Sequence, residues 1–175
     1  MKNVKGFTLV ELVVVIAVIG ILAAVTIVAY NQIAVRAQAA AISDGLQKVD
    51  KTMRIWGTFG NFVIWPEQTI DGGVPLTQLA NDNPTLKKLL TDIPEVDGVH
   101  SEDWFYDNDG DFKTDCTEPY DGVNIVIRFV DDNTLAQLVD ETIDDGDFNC
   151  GTVRYVDGRI FYTLSNTQQF NDARP

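Results

Sequence analysis

The stretch DNDGDFKTDCTE, residues 107–118, puts oxygen-bearing side chains at its first, third, fifth, ninth and twelfth places: Asp107, Asp109, Asp111, Asp115 and Glu118. Those are the side-chain positions of a twelve-residue calcium loop, with the Lys113 carbonyl falling at the seventh. The match has gaps. The sixth place, where a sharp turn calls for Gly, holds Phe112; Gly110 stands two places early, and Pro119 opposes a following helix. The expectation is therefore an isolated calcium loop rather than an EF-hand. The competing reading is that Asp, Asn and Gly are turn formers in a solvated loop. A second acidic turn, DDGDFNC at residues 144–150, ends in a cysteine; there, turn and capping roles are the preferred reading of Asp144, Asp145 and Asp147.

Glu11 poses a different chemical question. Nineteen residues, Leu12 to Tyr30, carry no charge, and Glu11 opens that run behind the apolar tetrad Phe7 to Val10. A membrane-spanning helix needs about 20 apolar residues, and ionisable groups at membrane depth are rare and usually paired. An acid at this position calls for a counter-charge. Enzymatic chemistry has little to build on. His100 is the sole histidine, so Ser-His and Cys-His schemes would hang on one residue in an apparent loop. No Gly-rich phosphate loop or zinc spacing is present. Trp56, Trp65 and Trp104 could line a glycan-binding surface, but burial is the better use of aromatics near a helix end.

The elements that must hold these groups follow from pattern. Beyond Tyr30 helical character continues, with Ile33, Ala37, Ala40, Ala41, Leu46, Val49, Met53 and Trp56 recurring at spacings of three and four. One long helix is expected, apolar at first and amphipathic later, with Gly45 a local weak point. Lys2 and Lys5 precede the apolar run, whereas 25 of the 26 acids lie from Asp44 onward. The positive-inside rule then sets the N-terminus in the cytoplasm and the larger domain outside. The net charge of −13 disfavours nucleic acid and anionic lipid as partners. In an oxidising compartment Cys116 and Cys150 are expected to pair, closing a loop of about 35 residues worth roughly 3–4 kcal/mol; two free thiols are the alternative.

KGFTLVELVVVIAVIGILAAVTIVAY, residues 5–30, resembles the N-terminal signature of type IV pilins and type II secretion pseudopilins. The resemblance implies a leader cut between Gly6 and Phe7 by a prepilin peptidase, N-methylation of Phe7, and an assembly role for Glu11. It also implies a helical homo-oligomeric filament raised by inner-membrane assembly machinery. Removing the leader creates an α-amino group on Phe7 that a neighbouring subunit's Glu11 could neutralise. Ala17, Gly20, Ala23 and Ala24 permit close helix approach in lipid. Many pilins carry a proline where this chain has Val28, so a kink or local melting at that point does not transfer.

Together these readings predict an α+β, pilin-like fold: a long N-terminal helix, membrane-spanning in its first half, packed on a small antiparallel sheet. The expected organisation is leader 1–6, membrane and assembly helix 7–30, amphipathic continuation 31–56 and extracytoplasmic head 57–175. Within the head, Thr85 to Leu90 reads as a short helix after Asn83-Pro84, and Asn61 to Trp65 as a short extended piece. Asn124 to Val130 reads as a buried strand, and NTLAQLVDETI as a helix with Leu135, Leu138, Val139 and Ile143 on one face. Asp157-Gly158 is a hairpin turn. The leading function is a filament subunit precursor that does no catalysis. It begins as a single-pass membrane protein and ends in an extracellular or periplasmic filament. The alternatives are a secretion pseudopilin and, from another class, a membrane-anchored calcium-binding or glycan-binding module.

Overall fold

The computed structural model describes residues 7–59, 62–63, 65–66, 72–89, 93, 95–96, 98–108, 122–128, 130, 133–148 and 150–165. Helix α1 runs from Leu9 to Gly57, uninterrupted through Gly20, Val28 and Gly45. The chain divides into two compact units, Met1–Arg36 and Ala37–Pro175.

In the first unit α1 is apolar on every side between Leu12 and Ile27. Leu12, Ile16, Ile19, Leu22, Val25 and Ile27 are all exposed, as suits a helix solvated by hydrocarbon or by copies of itself. By length and composition α1 can cross a membrane. Thr26 brings the run a hydroxyl, which donates to the Leu22 carbonyl at 2.7 Å, so that hydroxyl is satisfied within the helix.

In the second unit the outer half of α1 packs on a five-stranded antiparallel sheet. Strands β3 (Val74–Pro75), β4 (Trp104–Asp107), β5 (Val123–Ile127), β6 (Val153–Val156) and β7 (Arg159–Ser165) lie in the order β3-β4-β5-β7-β6. A separate pair, β1 (Thr58–Phe59) and β2 (Phe62–Val63), follows directly on α1. Helix α2 (Leu76–Asp82) was not legible in the sequence, whereas α3 (Pro84–Leu89) and α4 (Asn133–Ile143) match the expected helices. Asn83 Oδ1 accepts from the Leu86 amide at 3.3 Å, capping α3.

The buried stripe of α1 matches the expected apolar spacing at Leu46, Val49 and Met53 but departs from it nearer the membrane run. Ala39, Ile42, Leu46, Val49 and Met53 are buried at alternating steps of three and four, while Ile33, Ala37 and Ala40 are exposed. Apolar periodicity reports a face but not what covers it. β5 is buried at every residue, the mark of a central strand covered on both faces. The β6–β7 hairpin pairs Val156 with Arg159 across two residues, Asp157 at φ 48° and Gly158 at φ 73°. This is the mirror-image turn that the sheet's twist favours.

Arg54 fastens α1 to the sheet. Its Nη2 donates to the Leu164 carbonyl on β7 at 2.8 Å, its Nε pairs with Asp50 Oδ1 at 2.7 Å, and its guanidinium lies 5.7 Å from the Trp65 ring centroid. On the next strands, Tyr106 donates its hydroxyl to the Pro66 carbonyl at 2.7 Å, and Asn108 Nδ2 donates to the same oxygen at 3.1 Å. Burial pushes the Tyr106 phenol far above its ordinary range, so it serves as a fixed donor.

Candidate functional site

At the N-terminal end of α1, Thr8 and Glu11 form a reciprocal cap. The Glu11 amide donates to Thr8 Oγ1 at 3.3 Å, while Glu11 Oε2 accepts from the Thr8 amide at 2.8 Å and from the Thr8 hydroxyl at 2.7 Å. Two orphan donors of the first turn are thereby satisfied. The sequence signal was available: Thr-x-x-Glu ahead of an apolar run is a capping box. Glu11 therefore has a partner within its own chain, where the sequence reading supplied one only from a neighbouring copy. Phe7, next to Thr8, is exposed. Gly6 lies outside the described residues.

Of the calcium-loop residues, Asp107 ends β4 opposite Asn124 and is buried. Asp109, Asp111, Asp115 and Glu118 lie outside the described residues, as does Cys116. Cys150 is disulfide-bonded. Trp104 and Trp65 are buried in the core and Trp56 is half-buried, its Nε1 donating to Asn83 Oδ1 at 3.3 Å. None of the three offers an open stacking platform. His100 is exposed, and its amide donates to Asp103 Oδ2 at 2.8 Å at the start of a single 3₁₀ turn, Ser101–Asp103.

The second acidic turn, residues 144–150, lies among the described residues apart from Asn149. On α4 the buried positions are Leu135, Ala136, Val139 and Asp140; Leu138 and Ile143 are only half-buried. The inward face is thus turned from the expected one and carries an acid into the protein. Asp140 is 0% exposed, and neither of its carboxylate oxygens has a hydrogen-bond partner among the described residues. One oxygen from each of Asp140, Asp144 and Asp145 lies within 4.8 Å of the others. Desolvation, reinforced by the negative charges of Asp144, Asp145 and Asp147, lifts the Asp140 carboxyl to about 6; the Gly146 amide is near enough to oppose the rise but does not meet it in hydrogen-bond geometry.

Local chemistry holds the turn in place. Asp145 Oδ1 accepts from the Asp147 amide at 2.9 Å, and the Asp147 carbonyl accepts from Cys150 at 3.0 Å. Asp144 Oδ2 accepts from the Thr152 amide. Gly151, at φ 101°, leaves the room beside the Asp144 carboxylate that any Cβ would take. Gln137 donates to the Gly146 carbonyl at 3.0 Å. The Phe148 ring lies 5.4 Å from that of Tyr155 on β6, whose hydroxyl donates to the Val130 carbonyl at 2.6 Å.

Comparison with known proteins bears on the N-terminal site. The family described as the prokaryotic N-terminal methylation motif matches residues 1–27. The type IV major pilin protein PilE of Neisseria gonorrhoeae is 29% identical over 155 residues, covering 81% of this chain and 86% of that protein. PilE1 of the same organism is 29% identical over 150 residues, covering 78% and 85%. The type IV major fimbrial protein FimA of Dichelobacter nodosus is 56% identical over 46 residues, a quarter of this chain (25%) and 29% of that protein. No solved structure gives a significant match. Residues 1–27 carry the prokaryotic N-terminal methylation motif, and over most of its length the chain is similar to type IV major pilins.

Proposed function

We propose that this chain is the precursor of a structural subunit of a type IV pilus-like filament, assembled through its N-terminal apolar helix. The observation that carries the reading is the methylation motif placed directly on a helix whose apolar surface is exposed on every side. Such a surface is stable only in lipid or against further copies. The relatives' names favour a pilus over a secretion pseudopilin, since those matched along their length are major pilins.

In this reading a peptidase hydrolyses the Gly6–Phe7 amide on the cytoplasmic side, and the freed Phe7 amine is methylated. The precursor sits in the membrane with its N-terminus cytoplasmic, and the mature subunit is carried outward by inner-membrane machinery. Glu11 then neutralises the Phe7 amine of an adjoining subunit, a charge pair that in lipid forms only when helices lie side by side. The Thr8 cap holds the carboxylate at the helix end until that partner arrives. The single disulfide of this reading joins Cys116 to Cys150. It is supported by the oxidised state of Cys150 and by the presence of two cysteines in the sequence.

Mass spectrometry of the protein recovered from cells tests the reading. A chain beginning at methylated Phe7 is the expected result. A chain retaining Met1, or cut within the apolar run, would refute it.

A further inference from the structure

We propose that Asp140, Asp144 and Asp145 form a calcium site that ties the C-terminal end of α4 to the turn leading into β6. Two independent observations meet here. The first is geometric: three carboxylate oxygens fall within 4.8 Å of one another, the span across a calcium coordination sphere of radius about 2.4 Å. The second is the state of Asp140. It is 0% exposed, and both carboxylate oxygens lack hydrogen-bond partners among the described residues.

A buried carboxylate without a partner is costly, and native proteins supply a cation or a donor. Among the described residues, no basic side chain acts on the Asp140 carboxyl. The sequence has no Lys or Arg between Arg128 and Arg154, and the charges that act on the carboxyl are those of Asp144, Asp145 and Asp147, all negative. A bound cation would answer all of them together. The donors are all carboxylate oxygens, with no His and no thiolate, which selects a hard ion over zinc or copper. Calcium suits the site better than magnesium because it accepts irregular coordination and gives up water readily. Asp144 and Asp145 each use one oxygen on a backbone amide, of Thr152 and Asp147. That leaves each a second oxygen and fixes the rotamers in advance.

The test is the thermal unfolding of the full chain in detergent, with chelator, magnesium or calcium. With a dissociation constant on the order of 0.1 mM, about 10 mM calcium should raise Tm by roughly 5–10 °C over chelator. Magnesium should give a smaller rise. In Asp140→Asn the calcium rise should disappear while Tm in chelator increases, because the unpaired charge is gone. Asp145→Asn, on the exposed turn, provides a second variant whose fold is not at stake; there the rise should shrink. Equal melts in calcium and chelator would overturn the assignment. So would an equal response to magnesium, or a calcium rise of full size in both variants, which would place binding elsewhere, as in residues 107–118.

Discussion

Thr8 and Glu11 cap the first turn of α1 in both directions, each accepting a hydrogen bond from the other's backbone amide. In the proposed function, the residue that supplies the filament's charge is also the residue that starts the helix cleanly. These two roles separate by substitution, because a glutamine can cap but cannot neutralise an amine.

Glu11→Gln is expected to keep α1 intact to its first turn yet fail to assemble, and Glu11→Ala to fail at both. Electron microscopy of filaments, with the variants expressed at native level, reads the first effect. Filaments of Glu11→Gln as abundant as those of the unaltered chain would remove the counter-charge from the assembly account.

Thr8→Ala removes one half of the cap, a change worth about 1 kcal/mol. Amide exchange over Leu9–Leu12, followed in detergent by mass spectrometry or NMR, should speed up roughly fivefold. Exchange beyond the first turn should be unchanged.

Arg54→Ala should lower the stability of the folded chain by about 1 kcal/mol, chiefly through loss of the donor to the Leu164 carbonyl. The Asp50 ion pair contributes little, because the Arg54 side chain is 46% exposed. Burial raises the Asp50 carboxyl despite Arg54 beside it, so Asp50→Asn should cost less than Arg54→Ala. Chemical denaturation of the three chains ranks them.

Gly158→Ala should destabilise by about 1 kcal/mol, since φ 73° places a Cβ in the left-handed region. Asp157→Gly, at φ 48°, should be close to neutral. Equal losses at both positions in denaturant melts would show that the hairpin turn is not what sets the register of β6 on β7.

Asp140 makes stability depend on pH in a direction opposite to an ordinary paired acid. Its folded carboxyl is raised to about 6 from 3.8. Between those values the unfolded chain has released the proton and the folded chain still holds it, so stability falls as pH rises through the window. The groups facing it are Asp144, Asp145 and Asp147 from the turn and β6, which packs against α4 and carries buried Arg154. In chelator, the advantage of Asp140→Asn over the unaltered chain should be small near pH 4 and widen toward pH 7. A gap independent of pH would mean that the carboxyl titrates normally.

The sequence by itself determined the N-terminal site. An uncharged run, its length, the Gly6-Phe7 junction and Glu11 are local facts, and a helix with no polar side reads the same however the rest folds. The Asp157-Gly158 hairpin and the β5 strand were legible for a similar reason: turn chemistry and a β-branched run act over a few residues. Tertiary structure decided the rest. α2 lacked a cap or a clear period and is held by its contacts with β3 and β4. Which stripe of α1 is buried depended on the surface that meets it. The same holds on α4, where spacing alone favoured Leu138 and Ile143, but the face turned inward includes Asp140. An aspartate on a helix looks solvated until the chain is folded. Helical spacing already sets Asp144 one turn on from Asp140; only three-dimensional packing could strip the Asp140 carboxylate of water.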